Sequence, residues 1–559
     1  MGKFFSRFLL LLLVTVVSLI IYLSYFGIST DKFDDLIKNK ANEVNQNIKL
    51  EFQKTKIHLN IKELNLVVKL QNSKVLIRGN AIDLSKLDLF LSLKSFFSSD
   101  FLLKRAEVAF IENDIKDLTK ITNIFLPKFV NKKLNKIFAK GNIRGEFIIP
   151  FETDGSIGKD YGFTGKLSDA SINLTKEFSI KNLTTEISNL EDNNTKGFEI
   201  IIKKGSIYDL ELVGTTINLK REKNEIKIKS LLRTNGKLNF SQIKKISTLF
   251  GLNISNFKDI NGTADVKTNI NFDLDKQFSV KNLSYSMDGD IAYFEIHTDE
   301  KRIIKKYLPK YDSKIILKDT HIRLINSKSD HNTELSGFVK IEEDFDSFKI
   351  KEVYNYDKKS FKVDGIIDLT NSQVKVSQLN YKKKSGKKSE VSFNINFVLN
   401  KYYNINNLNF LADINKIHLS DIKLNKKFEV LDFKKLEIKT FLNEIKNNDF
   451  LVKKSEKVII SGQVFDAQPL LESLYKKSDK KTFSKNFSSE IKINFDKALT
   501  GTNDDIFNFA MIASINKGSY VKLSSKGIFS ENEIVEMSIY QVDNDKKTLQ
   551  VVSDRARPF

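Results

Sequence analysis

Cysteine and tryptophan are both absent from this chain of 559 residues. The missing cysteines remove disulfide, thiolate and Cys-zinc chemistry together, so the fold must hold without covalent staples, and an oxidising compartment is permitted. Only 5 prolines occur, which leaves room for long uninterrupted strands. Histidine is scarce too. His58, His297, His321, His331 and His418 are scattered without His-Glu-x-x-His spacing, so no metal site is read from them. His58 stands between Ile57 and Leu59 on the polar phase of a strand, the place of a solvated surface histidine. Short motifs fail on inspection. Gly386 to Ser389 lacks the upstream glycine of a phosphate loop, Gly155 to Gly158 lacks Gly-x-Gly spacing, and Asp543 to Asp545 lacks the glycine and third acidic ligand of a calcium loop. No constellation of polar residues suggests an enzyme, and no cofactor is expected.

What the chain has in excess is lysine. Its formal net charge is +21, from 91 Lys and Arg against 70 Asp and Glu. The lysines are spread along the chain among the acids, the pattern of solvated strand faces in a product of AT-rich coding sequence rather than of a nucleic-acid surface. Attraction to anionic lipid headgroups is the secondary reading. Lys382, Lys383, Lys384, Lys387 and Lys388 around Gly386 read as a charged hairpin tip, whose neutralisation should change stability by no more than about 0.5 kcal/mol. With 41% hydrophobic residues and a mean hydropathy of -0.29, the chain has ample material for a core.

One run carries no charge at all: Phe8 to Ile28, behind Lys3 and Arg7. At about 1.5 Å per residue it reaches roughly 30 Å, the thickness of a bilayer's hydrocarbon core. Tyr22, Leu23, Tyr25 and Phe26 carry it to its end and no Ala-x-Ala follows, so it reads as an uncleaved signal anchor. The positive-inside rule keeps Lys3 and Arg7 cytoplasmic and predicts the bulk of the chain on the other side, in a bacterium the periplasm.

Beyond the anchor, Ser29 or Thr30 is placed to cap a helix with Asp31, Asp34 and Asp35 in its first turn, and Phe33, Leu36, Ile37, Ala41, Val44 and Ile48 form one apolar stripe. The period then changes to two. Ile57, Leu59 and Ile61, then Leu64, Leu66, Val68 and Leu70, then Leu87, Leu89, Leu91 and Leu93 each mark a one-faced strand. The alternation is clearest at Val391, Phe393, Ile395, Phe397 and Leu399, with Ser392, Asn394 and Asn396 between them. Short helices are expected near Ile115 to Phe138, broken by Pro127, and near Ser241 to Phe250, Glu300 to Leu308 and Pro469 to Tyr475.

The strands also repeat. Leu174 to Thr184 (LTKEFSIKNLT) is matched by Leu274 to Ser284 (LDKQFSVKNLS) and more loosely by Leu399 to Asn409 (LNKYYNINNLN); the strands before the last two, Val266 to Phe272 and Val391 to Phe397, match as well. Each copy is a strand, a lysine-bearing turn and the next strand, which implies internal repetition. The organisation expected is an anchor over 1–30, a helix and first strands over 31–140, a repetitive sheet over 141–460 and a further sheet segment over 461–559.

This order resembles the AsmA-like family of bacterial envelope proteins, the bridge-like lipid-transfer relatives of YhdP and TamB. The likeness rests on Leu87 to Leu93 followed by Leu102 to Phe110 (LLKRAEVAF), similar to that family's first strand pair, and on Ser461 to Leu474 (SGQVFDAQPLLESL), where a strand runs through Asp-Ala into a short helix. The resemblance implies a mainly β fold, a long curled antiparallel sheet whose apolar groove carries phospholipid or another acyl-chain lipid between inner and outer membrane. Phe272, Leu274, Phe393, Ile395, Phe397, Leu399, Ile491, Ile493 and Phe495 would line that groove; the competing reading of each is plain core packing. Such proteins continue past the point where this chain stops at Phe559, so a fragment truncated at its C-terminus is expected. An alternative from another class is an assembly scaffold that binds outer-membrane proteins by strand addition. An outer-membrane barrel is disfavoured by Asp554, Arg555, Arg557 and Pro558 beside Phe559.

Overall fold

The computed structural model describes the chain from residue 2 to residue 555, apart from 45–47, 78–79, 98–101, 123–131, 133–134, 157, 159–161, 174–177, 193–194, 223–224, 250–253, 255–256, 278, 299–300, 328, 399–400, 476–486, 530–532 and 544–545. At 67% strand and 13% helix, with one sheet of 32 strands, it has the mainly β architecture that the alternation predicts. The chain divides into two compact units, Met1–Gly236 with Lys267–Ser284, and Lys237–Val266 with Tyr285–Phe559.

The first unit opens on the helix Gly2–Tyr25, of which Phe4–Tyr25 is long and apolar enough to cross a membrane and is not buried in the protein. The apolar sequence continues to Ile28, but the helix stops at Tyr25 for a local reason. The N–H groups of Phe26 and Gly27 both donate to the Tyr22 carbonyl, at 2.8 and 3.2 Å, and Gly27 takes φ 66°, the left-handed close of a helix. Ile28–Ser29 then leaves as a short strand paired with Lys56 and Ile57. Ser24 Oγ donates to the Leu59 carbonyl at 2.8 Å, tying the helix end to the sheet. His58 is half-buried against this turn rather than solvated, since a Cβ on Gly27 would lie 2.8 Å from both His58 Nε2 and the Ile57 carbonyl oxygen. Burial, then Lys69, holds the imidazole below its usual pKa. Gly27→Ala is therefore expected to destabilise this unit by about 1–2 kcal/mol; an unchanged urea midpoint would mean the turn is not as described.

The next helix is Asp34–Val44, with Asp34 and Asp35 in its first turn. It starts later than Ser29 or Thr30 because Thr30 Oγ1 instead accepts the Lys32 N–H at 3.1 Å in a separate turn. Phe33 and Ile37 bury its apolar stripe against Ile57, Leu66, Val68, Leu87, Leu89 and Leu91. Ile48, expected to extend the stripe, begins the strand Ile48–Glu51. Ile61 and Leu64 flank the tip of the hairpin between Lys54–Asn60 and Asn65–Gln71, 50% and 65% exposed; the tight turn turns both outward. Farther on, the helix Ile115–Thr122 brings Ile115 onto Leu167, Ala170, Leu183, Ile202 and Leu212. Most of the remaining stretch expected to be helical, including Pro127, lies outside the described residues, and Phe138 begins a strand.

The repeated motifs fall on hairpins: Gly162–Asn173 with Ser179–Asp192, Phe257–Leu274 with Val280, and Glu390–Val398 with Tyr402–Ala412. Residues 174–177, 278 and 399–400 of these motifs lie outside the described residues. Asn182 and Asn282, equivalent in the first two copies, both adopt left-handed φ, 51° and 52°. The register slips by one residue beside Asn182 and again at Asn406 in the third copy. In the first copy a left-handed asparagine thus accompanies a bulge; in the third the extra residue, Asn406, stands one motif position earlier and is not left-handed.

In the second unit, from Lys314–Asn326, successive long strands pair antiparallel down to Ile445–Lys454 and Val458–Asp466. One pair departs from the antiparallel expectation: Val458–Asp466 and Ser489–Leu499 run parallel. The crossover that a parallel pair requires is supplied by the intervening chain, which begins with the helix Gln468–Tyr475. Antiparallel pairing resumes through Ile506–Asn516 and Ser519–Ile528 to Lys546–Ser553. Helices Phe240–Leu249 and Lys301–Tyr307 lie where helical spacing predicts them.

Candidate functional site

One face of the second unit's sheet is apolar along rows that cross the strands. Directly opposed pairs connect Ile350 through Gly365 to Phe393, Leu408, Leu419 and Leu436, and onward through Val452 and Ile460 to Ile493. The predicted lining residues Phe393 and Ile493 thus share one row. Beside it runs a row of rings. Tyr356, Tyr354, Phe361, Phe397, Tyr403 and Phe428 follow one another with centroids 5.2, 4.5, 4.9, 5.5 and 4.7 Å apart, each step adding aromatic contact to plain burial. Its two ends are open, Tyr356 at 38% and Phe428 at 43% exposure. The opposite face is polar: Asn394 Nδ2 donates to Asp364 Oδ1, and Asn406 Nδ2 to Asn394 Oδ1. Strand parity places Phe393, Ile395 and Phe397 as the sequence predicts, and all three are half-buried.

A strap formed by residues 369–389 covers part of the apolar face. It contains the two-stranded ribbon Val374–Val376 with Tyr381–Lys383, joined through the short 3-10 turn Ser377–Leu379. Leu369, Val374, Leu379 and Tyr381 pack on Phe410, Ile417, Ile438, Phe450 and Val452. Polar groups pin the strap at both ends. Glu342 accepts the N–H of Lys310 at 2.7 Å and that of Gln373 at 2.6 Å, and Asp346 accepts the Asn371 N–H at 3.0 Å. At the far end, Asn447 and Asn448 donate to the Leu379 carbonyl, at 3.1 and 2.8 Å, and Asp466 accepts from Asn380 and Asn447, each at 3.0 Å.

Lys383 locks the strap from within, which corrects its reading as one of five solvated lysines. It is 4% exposed, and its Nζ donates to the carbonyls of Leu369, of Thr370 at 2.9 Å and of Ser372 at 2.8 Å. Burial pushes its pKa down, against the pull of Asp346 and Asp368. Lys382, Lys384, Lys387 and Lys388 are exposed as expected. The ribbon's alternation explains the difference: Tyr381 and Lys383 share the inward face, with Lys382 between them turned out.

The other predicted lining residues fall into three groups. Ile491 and Phe495 are closed off, 4% and 5% exposed, within the core that includes Phe450; Phe465 stacks on Phe495 at 5.0 Å. Ile493 packs at the margin of that core. Phe272 and Leu274 belong to the first unit, half-buried on the strand Phe257–Leu274 with Asn269 and Asn271 exposed on the alternate phase. Leu399 lies outside the described residues. Lys3 and Arg7 stand on the N-terminal helix.

Sequence reading missed Tyr354, Phe361 and Tyr403 of the ring row, and it missed Glu352. Glu352 is opposed by Thr333 on one side and Val363 on the other, the latter opposed in turn by Ile395. It therefore sits on the apolar face, and burial alone pushes its carboxyl above the usual range. The phase of Phe348, Ile350 and Tyr354 in the sequence is the signal that would have found it. Among the described residues no group of His, Asp or Glu is arranged to hold a metal. No family model, curated protein or solved structure matches this chain.

Proposed function

We propose that this chain is a single-pass, membrane-anchored β protein that holds the acyl chains of phospholipid against the apolar face of its sheet, and that it serves their passage between the inner and outer membranes of a bacterial envelope, as AsmA-like proteins would. The observation that carries the reading is the strip of apolar side chains left half-open beside the strap. A strip of this extent is costly to leave against water and calls for an occupant. Four inter-strand steps of the ring row measure about 19 Å, on the order of an extended acyl chain. The free N-terminal helix supports anchoring, with Lys3 and Arg7 on the cytoplasmic side and the sheet in the periplasm. No covalent step is required.

Two measurements test this reading. Full-length protein purified in detergent is expected to carry phospholipid detectable by mass spectrometry after solvent extraction; protein free of any lipid would reject the conduit. Protease added outside spheroplasts is expected to digest the chain beyond Asp31 while the N-terminal fragment stays in the membrane. Release of an intact chain into the periplasmic fraction would reject the anchor.

A further inference from the structure

Glu352 is an ionisable group on the apolar face of the sheet, where its polar neighbours, Thr333 and His331, are bonded to each other. Along its own strand, Phe345–Asn355, its same-face neighbours are Ile350 and Tyr354. Across the sheet it opposes Thr333 and Val363, and Thr333 Oγ1 is already engaged with His331 Nε2 at 3.0 Å. The nearby lysines point the other way. Lys351 reaches Glu334 at 2.8 Å and Lys362 lies 3.6 Å from Asp364, both pairs on the alternate phase of their strands. Glu352 itself makes no hydrogen bond or ion pair among the described residues. A carboxyl held among apolar side chains is costly as an anion unless a cation joins it. Two residues along the strand on the same face stands Tyr354, an aromatic ring of the kind that also attracts a cation.

We propose that Glu352, with the ring of Tyr354 beside it, is a headgroup subsite that selects amphiphiles bearing an ammonium group, so that lipid chains lie along the Val363, Ile395 and Phe397 strip while the ammonium pairs with the carboxylate. This rests on the lipid-binding reading above and adds a charge preference to it. Charge complementarity decides the sign: an anionic headgroup without an amine would meet a carboxylate, and the nearby titratable group on that face, His331 opposite Tyr354, is 5% exposed and burial disfavours its charged form.

The test uses full-length detergent-solubilised protein stripped of lipid and equilibrated with vesicles of equal parts phosphatidylethanolamine and phosphatidylglycerol. Wild-type protein is expected to retain the ethanolamine lipid in about tenfold excess, the scale of a charge-assisted hydrogen bond. Glu352→Gln should bring the ratio close to one with total bound lipid unchanged, and Glu352→Asp should keep most of the preference. Thermal melting of the stripped Glu352→Gln protein should be unchanged or higher, because an uncompensated carboxyl has been removed. Equal retention of both lipids by wild type, or a preference that survives Glu352→Gln, overturns the subsite while leaving lipid binding intact. Retention of neither lipid overturns both.

Discussion

Replacing Lys383 by methionine is expected to lower the stability of the second unit by about 2–3 kcal/mol, whereas the same change at Lys382, Lys384, Lys387 or Lys388 should stay within about 0.5 kcal/mol. Methionine matches the length of the stem, so packing is largely kept and the loss isolates the ammonium. Without it, the carbonyls of Leu369, Thr370 and Ser372 lose the donor they share; those of Leu369 and Thr370 keep the N–H groups of Ser372 and Gly386, so the desolvation penalty of an unpaired acceptor falls on the Ser372 carbonyl. The chain entering the strap at Leu369 and Ser372 would loosen first, exposing Val374, Leu379 and Tyr381. Urea unfolding gives the energy, and limited proteolysis within 369–389 reports the loosening. If Lys383→Met proves as mild as its neighbours, the lysine does not hold the strap.

The alternation of the strands made the two faces legible, because period two leaves no freedom about which side a residue takes. Phe393, Ile395, Phe397, Ile491 and Phe495 all lie on the side that parity assigns them. What parity cannot report is what lies over that side. Ile491 and Phe495 are sealed in the core, Phe495 between Phe450 and Phe465, while Phe393, Ile395 and Phe397 are half-open; what covers each depends on contacts distant in sequence, such as Asn448 with Leu379 in the strap that joins that core. Lys383 was hidden by composition, because a lysine run looks solvated unless the two-residue period is carried through it. The helix end at Gly27 was legible in principle, since glycine after an apolar helix is a stop signal, but the apolar residues continuing to Ile28 hid it. Glu352 follows the apolar phase of its strand, and a charge on that phase is the kind of local contradiction that marks a functional position.

The open and closed parts of the apolar face should respond differently to the same substitution. Phe495→Asp puts a carboxylate into a core residue that is 5% exposed and stacked on Phe465, and should unfold the unit by several kcal/mol, as an unpaired buried charge does. Phe397→Asp acts on the half-open ring row between Phe361 and Tyr403. There water can reach the carboxylate once lipid leaves, so the lipid-free protein should lose the two ring contacts, about 1–3 kcal/mol, and stay folded, while bound lipid falls to background. Ile395→Asp should behave likewise, and Asn396→Asp, on the opposite phase beside Lys362, should change neither quantity. Because bound lipid itself stabilises the folded state by mass action, melting must be compared on stripped protein and lipid content on protein as purified. If Phe397→Asp and Ile395→Asp unfold the stripped protein as severely as Phe495→Asp, the ring row is closed core and the strip beside the strap is not open to a ligand. If they remain folded and still carry wild-type amounts of lipid, the lipid sits elsewhere.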